Sequence, residues 1–353
     1  MTIIRKTLCG SIVFFAISAS AQAGPTAQIF ATGPAGASKP DSISIGGGSI
    51  WVEYGNGAAS DGTKGSSTIV QYGFSGAVLN TYSIPGSVDG LKYDPMTGKV
   101  WALQNQDDNS TLSIIDPTTH TVSAPLKYDA PYVYGGGRGY DDVAFLGDKV
   151  YLSYTNPASG TAPVLQSLNQ GNNPSGKLTT TNILTAAQQE GSALPDTDSL
   201  KSTPSGQLVL TAGDPGTFTL ITHPGAANQT ETTIQVTSGG AKVSGLDDVL
   251  FPSTTSGTLF FTNTGSNDVL KLGLKGLSPD TPIVALGGAL NELAFVDLTA
   301  GVATPLLTGL SSPHGLDFAA PEPSTWAMML LGFAGLGYMG YRASAKRQAA
   351  RAA

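Results

Sequence analysis

Residues 88–126 read VDGLKYDPMTGKVWALQNQDDNSTLSIIDPTTHTVSAPL, and this stretch contains four short, largely apolar runs separated by turns. The runs GLKYD, KVWALQ, TLSIID and TVSAPL are each five or six residues long. Between them stand DPMTG, QDDNS and PTTH, which are rich in the Asp, Pro, Gly and Asn residues that favour tight turns. Strands of this length joined by such turns predict a unit of four antiparallel strands.

The beginning of this unit recurs along the chain as an Asp, a small residue or second Asp, an aliphatic residue, a turn and another apolar strand. The Asp of the five copies, and the histidine that replaces it in a sixth, are Asp41, Asp89, Asp141, Asp198, Asp247 and His314. Successive copies are 48, 52, 57, 49 and 67 residues apart. Periods of roughly 40 to 50 residues are typical of the four-stranded blades of a β-propeller.

The repeats therefore predict an all-β body over residues 24–320, a propeller of five to seven blades, of which we favour six. In each copy the opening strand leads through a turn to an aliphatic or aromatic strand, as 246–249 leads to 259–261. Residues 293–307 repeat the form of residues 112–126, the outer half of the unit quoted above. The closing blade is expected to use both ends of the body. A β-helix and a two-sheet sandwich remain alternatives, and residues 184–190 suggest one short helix.

The repeat form is similar to that of NHL-type and lactonase-type propellers, and no catalytic residue is carried over from them. The body contains no H-E-x-x-H motif and no G-x-S-x-G motif. We therefore assign no catalytic residue and favour a non-enzymatic role.

The N-terminus carries an export signal. Arg5 and Lys6 precede an apolar run over residues 8–19, and Ala21-Gln22-Ala23 follows it. This pattern predicts a Sec signal peptide over residues 1–23, which would be handled by the Sec translocon and signal peptidase. The single cysteine of the chain, Cys9, lies inside this segment. The body is consequently free of cysteine, which excludes a disulfide scaffold and a cysteine-held metal centre.

The C-terminal segment 321–353 has three parts: Pro321-Glu322-Pro323, an uncharged run over residues 326–341, and a basic end over 342–353. Sixteen residues rise about 24 Å as a helix, which is less than the roughly 30 Å of a bilayer's hydrocarbon core. Such a helix crosses only a thin or thinned membrane. Because flanking basic residues stay in the cytoplasm, the body would lie on the opposite side of the inner membrane.

This tail resembles the PEP-CTERM sorting signal of Gram-negative bacteria, which is also labelled an ice-binding protein C-terminal domain. The resemblance implies recognition by an exosortase, transient anchoring in the inner membrane through the tail, and traffic to the cell envelope, the extracellular matrix or exopolysaccharide. The basic end RASAKRQAAR is more dilute than the compact arginine run of the family, which leaves cleavage or retention of the tail open.

The charge of the body excludes several partners. Residues 24–320 contain 24 acidic and 12 basic residues, a net charge of −12. Nucleic acid and anionic lipid are bound through clustered Lys and Arg, and no such cluster is present in the body. We therefore expect no nucleic-acid partner.

The repeated acidic residues are candidates for a metal site. At the start of each innermost strand they would gather at one mouth of the channel, where Ca²⁺ could be bound by Asp89, Asp141, Asp198 and Asp247, with His314 beside them. We favour the alternative that each Asp accepts backbone N–H bonds in its turn and that no cofactor is bound.

Residues 129–142, DAPYVYGGGRGYDD, form a glycine-rich segment with an unusual density of tyrosine. Its candidate ligand-binding residues are Tyr132, Tyr134, Arg138 and Tyr140. Tyrosine rings pack on sugar rings, and loops on a rigid scaffold often carry binding sites. The alternative is a loop packed by its own rings.

The sequence thus predicts an exported, non-catalytic propeller associated with the envelope or exopolysaccharide. The alternatives are a lactonase-like hydrolase with a metal at the channel mouth and a sugar-binding module.

Overall fold

The computed structural model describes residues 25–129, 137–157, 160–169, 177–188, 197–321, 331–335 and 338. The predicted signal peptide, 1–23, and most of the tail lie outside these residues. The described part of the body is almost entirely strand and turn, and its strands form six sheets. The predicted six-bladed all-β propeller is confirmed.

Blades I to IV follow one another along the chain, and within each blade the strands stand in sequence order from the innermost to the outermost. The outermost strand of blade II is split into two short pieces, β9 and β10, as defined below. The first strands are β1 (Gln28–Thr32); β2 (Pro40–Gly46), β3 (Ser49–Tyr54), β4 (Ser66–Tyr72) and β5 (Val78–Pro85) of blade I; β6 (Val88–Asp94), β7 (Lys99–Gln104), β8 (Thr111–Asp116), β9 (Thr121–Val122) and β10 (Leu126–Lys127) of blade II; β11 (Tyr140–Leu146), β12 (Lys149–Tyr154), β13 (Pro163–Asn169) and β14 (Thr179–Thr185) of blade III; and β15 (Thr197–Ser202), β16 (Leu208–Ala212), β17 (Thr217–Thr222) and β18 (Thr230–Gln235) of blade IV.

Blades V and VI are built differently. Their strands are β19 (Thr237–Ser238), β20 (Ala241–Lys242), β21 (Leu246–Leu250), β22 (Ser256–Asn263), β23 (Asp268–Lys275), β24 (Ile283–Leu286), β25 (Glu292–Asp297), β26 (Val302–Leu307) and β27 (Pro313–Ala319). A single 3₁₀ turn, Thr264–Ser266, joins β22 to β23. Blade V has the order β21-β24-β25-β26, with the β19–β20 hairpin beside β26, and blade VI has the order β27-β22-β23-β1.

The strands at 246–250 and 256–263 follow one another in sequence but are not paired with each other. Strand β21 pairs with β24, where Leu246 faces Leu286, and β22 pairs with β27, where Phe261 faces Leu316. The hairpin β22–β23 is inserted between the first two strands of blade V and belongs to blade VI. The chain therefore passes from blade V to blade VI, returns, and crosses again, which explains why the last repeat spacing is 67 residues.

Both ends of the body meet in blade VI, as the sequence predicts. Strand β1 pairs with β23 as the outermost strand, and Thr32 Oγ1 donates to Asp268 Oδ1 at 2.8 Å. Each innermost strand contacts the innermost strands of both neighbouring blades, so the ring of blades is closed. Pairing the two chain ends in one sheet holds that ring shut.

The hydrophobic core consists of six clusters, and each lies between two adjacent blades. Between blades I and II, for example, Trp51 and Ile69 pack against Leu91 and Val100. The short helix predicted at 184–190 is not formed by its described residues, because Leu184 and Thr185 belong to β14 and a turn follows at 186–188. Burial of both faces of each blade leaves the polar residues of the innermost strands to line the channel.

Only part of the predicted tail helix is described. Residues 331–335 and 338 are helical, with Leu331 and Phe333 exposed, and the rest of 326–341 lies outside the described residues. Among the residues that are described, no helix combines the length and apolar character needed to cross a membrane.

Candidate functional site at the channel mouth

All six innermost strands carry a β-bulge at the same place. In blade I the pairing passes from Pro40 opposite Tyr54 to Ile43 opposite Val52, so that two residues of β2 face one residue of β3. The same shift occurs in the other five blades. Bulges redirect side chains at the rims of closed sheets, and here they turn two consecutive residues of each strand towards the channel.

These two residues define two rings. The mouth residues are Asp41, Asp89, Asp141, Asp198, Asp247 and His314. The inner residues, which follow them directly in sequence, are Ser42, Gly90, Asp142, Ser199, Asp248 and Gly315. The predicted convergence at one end of the channel is therefore present in all six blades.

The mouth residues meet in two groups of three. Carboxylate oxygens of Asp89, Asp141 and Asp198 lie within 4.8 Å of one another, as do the ligand atoms of Asp41, Asp247 and His314. Below them the channel contains a void of about 30 Å³. A void of this size has room for about one water molecule or one ion.

His314 supplies a positive charge to its group. Its Nδ1 lies 2.7 Å from Asp41 Oδ1 and 3.4 Å from Asp247 Oδ1, and its Nε2 lies 3.0 Å from Ser312 Oγ. The charge of Asp247, followed by that of Asp41, raises the pKa of His314 to about 11. At neutral pH the ring is an imidazolium that donates from both nitrogens. In that state it has no lone pair to offer a metal.

In the other group, burial raises the pKa of two of the three carboxyl groups. Burial raises the pKa of Asp89 to about 6 and holds that of Asp141, which is 5% exposed, well above its usual range. The two carboxyl groups hydrogen-bond to each other, with the proton favoured on Asp141. Gln106 Nε2 also donates to Asp89 Oδ1 at 3.3 Å. Burial likewise raises the pKa of Asp247 to about 7.

The expected capping role of the mouth aspartates is not found for four of them. In the described part of the chain, no backbone N–H donates to the carboxylates of Asp41, Asp89, Asp141 or Asp247. The mouth carboxylates are held by one another, by Gln106 and by His314. Their repetition therefore has no local turn-capping explanation.

Backbone donors instead reach the inner ring, most clearly at Asp248. Its Oδ1 accepts from the N–H of Val249 at 2.7 Å, and its Oδ2 accepts from the N–H of Leu316 at 2.6 Å. Lys201 Nζ lies 2.8 Å from the same Oδ2. This carboxylate joins the innermost strands of blades IV, V and VI.

Asp142 has the same role between blades III and IV. Its Oδ1 accepts from the N–H of Val143 at 2.7 Å, and its Oδ2 accepts from the N–H of Leu200 at 2.9 Å. In two other blades the inner residue is glycine because the next strand comes too close for a side chain. A Cβ at Gly90 would stand 2.5 Å from a backbone oxygen of β11, and one at Gly315 equally close to a backbone oxygen of β2.

Hydroxyl groups on the second strands fix the mouth residues from behind. Ser153 Oγ donates to Asp198 O at 3.0 Å, Thr211 Oγ1 to Asp247 O at 3.0 Å, and Thr262 Oγ1 to Asp41 O at 2.6 Å. Each bond runs from one blade to the innermost strand of the next. The backbone of the mouth is thus rigid even where its carboxylates have no backbone donor.

Glu53 of β3 occupies the position that these hydroxyl groups occupy in other blades. Its side chain is fully buried, and neither carboxylate oxygen has a partner with full hydrogen-bond geometry among the described residues. The Ser67 hydroxyl group lowers the pKa of Glu53. Burial first, and then the charge of Asp41, raises the pKa of Glu53 well above its usual range. We therefore expect a neutral carboxyl group at this point.

The sequence interpretation missed the inner ring and the two lysines beneath it. Lys92 and Lys201 stand three residues after Asp89 and Asp198, in the innermost strands β6 and β15. Lys92 Nζ lies 3.8 Å from Asp142 Oδ2. A lysine in the middle of a short apolar strand, and a doubled Asp, were the signals that could have revealed a polar channel.

The glycine-rich segment is only partly described, since Tyr132 and Tyr134 lie outside the described residues. Arg138 Nε donates to the backbone oxygen of Asn156 at 3.2 Å. Tyr140 is 1% exposed, its hydroxyl bonds to Gln166, and its ring packs against another tyrosine ring at 4.4 Å. Tyr140 thus packs in the core, and ligand binding by the segment that carries Tyr132, Tyr134, Arg138 and Tyr140 stays a prediction.

A family comparison identifies the tail. The PEP-CTERM protein-sorting motif matches residues 319–347, of which Pro321 is described and Glu322 and Pro323 are not. The motif implies an exported protein that is processed by an exosortase and associated with the cell envelope. No curated protein sequence matches the chain.

Solved structures similar to the chain include a gluconolactonase and a putative gluconolactonase. A periplasmic gluconolactonase of Pseudomonas aeruginosa has a TM-score of 0.48 at 12% identity, covering 80% of this chain and 88% of that one. A Bacteroides caccae protein of unknown function has a TM-score of 0.49 at 9% identity, covering 78% and 85%. A nidogen/laminin complex has a TM-score of 0.49 at 10% identity, covering 80% and 86%.

Proposed function

We propose that the protein is a non-catalytic propeller that is exported through the Sec pathway, held transiently in the inner membrane by its tail, and released by an exosortase into the envelope or onto exopolysaccharide. The sorting motif at 319–347 carries this proposal. The acidic body, with its net charge of −12, also supports a place away from anionic lipid and nucleic acid.

The geometry of the channel supports a non-catalytic role. The void below the mouth, about 30 Å³, is too small for an organic substrate. His314 is fixed as a cation between Asp41 and Asp247, so it is a poor general base at neutral pH. The buried charges of the inner ring are engaged in bonds between blades. These observations favour a rigid scaffold that contacts its partners through its outer surfaces.

The sorting step is tested by changing Pro321, Glu322 and Pro323 together to alanine. We expect the full-length variant to accumulate in the inner-membrane fraction, because the exosortase no longer recognises the tail, and we expect the wild type to do the same in a strain without the exosortase. Cell fractionation with immunoblotting measures both. The control is Ser324→Ala with Thr325→Ala, which changes the same tail outside the tripeptide and should be released normally. Equal release of the tripeptide variant and the wild type would remove the proposal.

A lactonase-like hydrolase is the second candidate, and the close approach of Asp89, Asp141 and Asp198 is the observation that favours it. Three carboxylates within 4.8 Å offer oxygen ligands of the kind that Ca²⁺ prefers. This function requires a bound ion at the mouth, whereas the scaffold function does not. The calcium experiment that closes the Discussion separates the two.

A further inference from the structure

A second polar cavity lies beside the channel mouth, on the same face of the propeller. It has a volume of about 440 Å³ and lies along the loop 105–110 that joins β7 to β8. The same loop carries Gln106, whose amide reaches Asp89 in the mouth. The cavity is within the size range of small-ligand sites and has room for one or two sugar rings, whereas the channel void does not.

The charge of this cavity is opposite to that of the body. Lys127 and Lys177 line it, and no carboxylate is among its described lining residues. Lys127 takes part in no ion pair within the described residues, and Lys177 Nζ lies 3.6 Å from Asp129 Oδ1, where both side chains are substantially exposed. Exposed pairs of this kind contribute little and exchange easily for another anion. In a body of net charge −12, this is a local preference for a negative ligand.

The remaining lining fits a sugar. Asn109 and Thr111 add an amide and a hydroxyl group, which pair with sugar hydroxyl groups, and Pro85 and Pro125 add apolar rings against which the C–H face of a sugar packs. Asn109 has a positive φ of 56° and its Nδ2 donates to the backbone oxygen of Asp61 at 3.3 Å. The loop 105–110, which carries Asn109, is therefore held by the neighbouring blade.

We infer that this cavity binds a carboxylated sugar, that is, a uronic-acid unit of an acidic polysaccharide, with Lys127 and Lys177 on the carboxylate and Asn109 and Thr111 on the hydroxyl groups. The inference rests on the proposed function, because it names the kind of exopolysaccharide that the exported body would hold. It leaves the channel mouth without a part in binding.

The test is calorimetric titration of the purified protein with tri-galacturonate and with its fully methyl-esterified form, which keeps the rings and removes the charges. We expect the acidic trimer to bind and the ester to bind at least about tenfold more weakly, since one charge-assisted hydrogen bond contributes more than the 1.4 kcal/mol that equals a factor of ten. Lys127→Gln with Lys177→Gln should weaken the acidic trimer by about the same factor. Lys242→Gln, an exposed lysine on blade V, is the control and should leave binding unchanged.

Equal binding of trimer and ester, an unaffected double variant, or no binding of the trimer would each overturn the inference. Thermal melting of the double variant confirms that it is folded before its binding is read. The sorting experiment is independent of this one. A protein that reaches the envelope normally and binds no uronic acid contradicts only the cavity assignment, whereas a failure of sorting contradicts the proposed function.

Discussion

The mouth residues and the inner residues stand at consecutive positions on the same six strands, yet their surroundings are opposite. Asp248 accepts two backbone N–H bonds and pairs with Lys201 at 2.8 Å. Asp247, one residue earlier, has the His314 ring at 3.4 Å as its ion partner, and burial raises its pKa to about 7. The bulge places both side chains in the channel. Asp248 thereby bonds the blades together, whereas Asp247 has no backbone donor among the described residues and has a raised pKa.

This difference shows two ways in which the buried carboxyl groups of the channel are stabilised. A carboxylate that receives backbone N–H bonds from the next blade is stabilised as an anion and holds the two blades together. A carboxylate without such donors keeps a proton or needs a nearby cation. The inner ring uses the first solution at Asp142 and Asp248, and the mouth uses the second at Asp141 and His314.

The largest expected effect is on Asp248. Asp248→Asn removes the anion that pairs with Lys201 and places an amide against two backbone donors. Breaking a buried ion pair costs about 3–5 kcal/mol, so we expect the melting temperature to fall by about 10 °C. Differential scanning calorimetry at pH 7 measures it.

Asp247→Asn is the matched control for this change, because it alters the adjacent residue in the same strand. We expect its melting temperature to stay within a few degrees of the wild type, or to rise, because an uncharged amide relieves burial and repulsion by Asp41. If Asp247→Asn were the more damaging of the two, the contrast between the rings would be broken.

The second prediction concerns pH. Asp89, Asp141, Asp247 and Glu53 have raised pKa values in the folded protein, so their contribution to stability is fully present below their unfolded pKa of about 4 and is lost as pH rises. For Asp89 and Asp247 this loss occurs as pH rises through about 6 and about 7. His314, with a pKa of about 11, contributes stability that is fully present below about 6.5 and is lost progressively as pH rises from there through about 11. Both signs agree. The melting temperature should be higher at pH 5 than at pH 8, by about 4 °C.

Asp89→Asn combined with Asp247→Asn should flatten this dependence, since it removes two of the acids that titrate in the window. Asp280→Asn, an exposed acid of the body, should leave the slope unchanged. A wild-type protein that becomes more stable from pH 5 to pH 8 would show that the mouth carboxylates are paired as well as those of the inner ring.

Much of the fold followed from the sequence because it is carried by local patterns. The strand lengths, the turn residues and the repeat period predict the six blades, and the two ends of the body close the ring as expected. The strand exchange between blades V and VI did not follow, because β22 and β24 both contain an apolar run that fits the same place after β21. Only the long spacing before His314 marked the extra hairpin.

The candidate site was predicted less completely. The repeated Asp placed the mouth correctly, but a bulge leaves no mark in the sequence, so the division into two rings was not visible. Backbone donors were expected for the mouth and are found one residue further along, at Asp142 and Asp248. Tyr140, a candidate ligand contact, packs in the core, and a high density of tyrosine is as typical of a packed core as of a binding loop.

The central claim is that protons and His314, and not a metal ion, compensate the mouth carboxylates. The most direct test is the melting temperature at pH 7 in EDTA and in millimolar Ca²⁺, for the wild type and for Asp141→Asn with Asp247→Asn. A ligand that binds only the folded state stabilises it by about 2.7 kcal/mol at a hundredfold excess over its Kd, which would raise the melting temperature by several degrees. We predict a wild-type shift of no more than about 1 °C. A clear calcium-dependent rise that disappears in the double variant would contradict the account and give first place to the hydrolase.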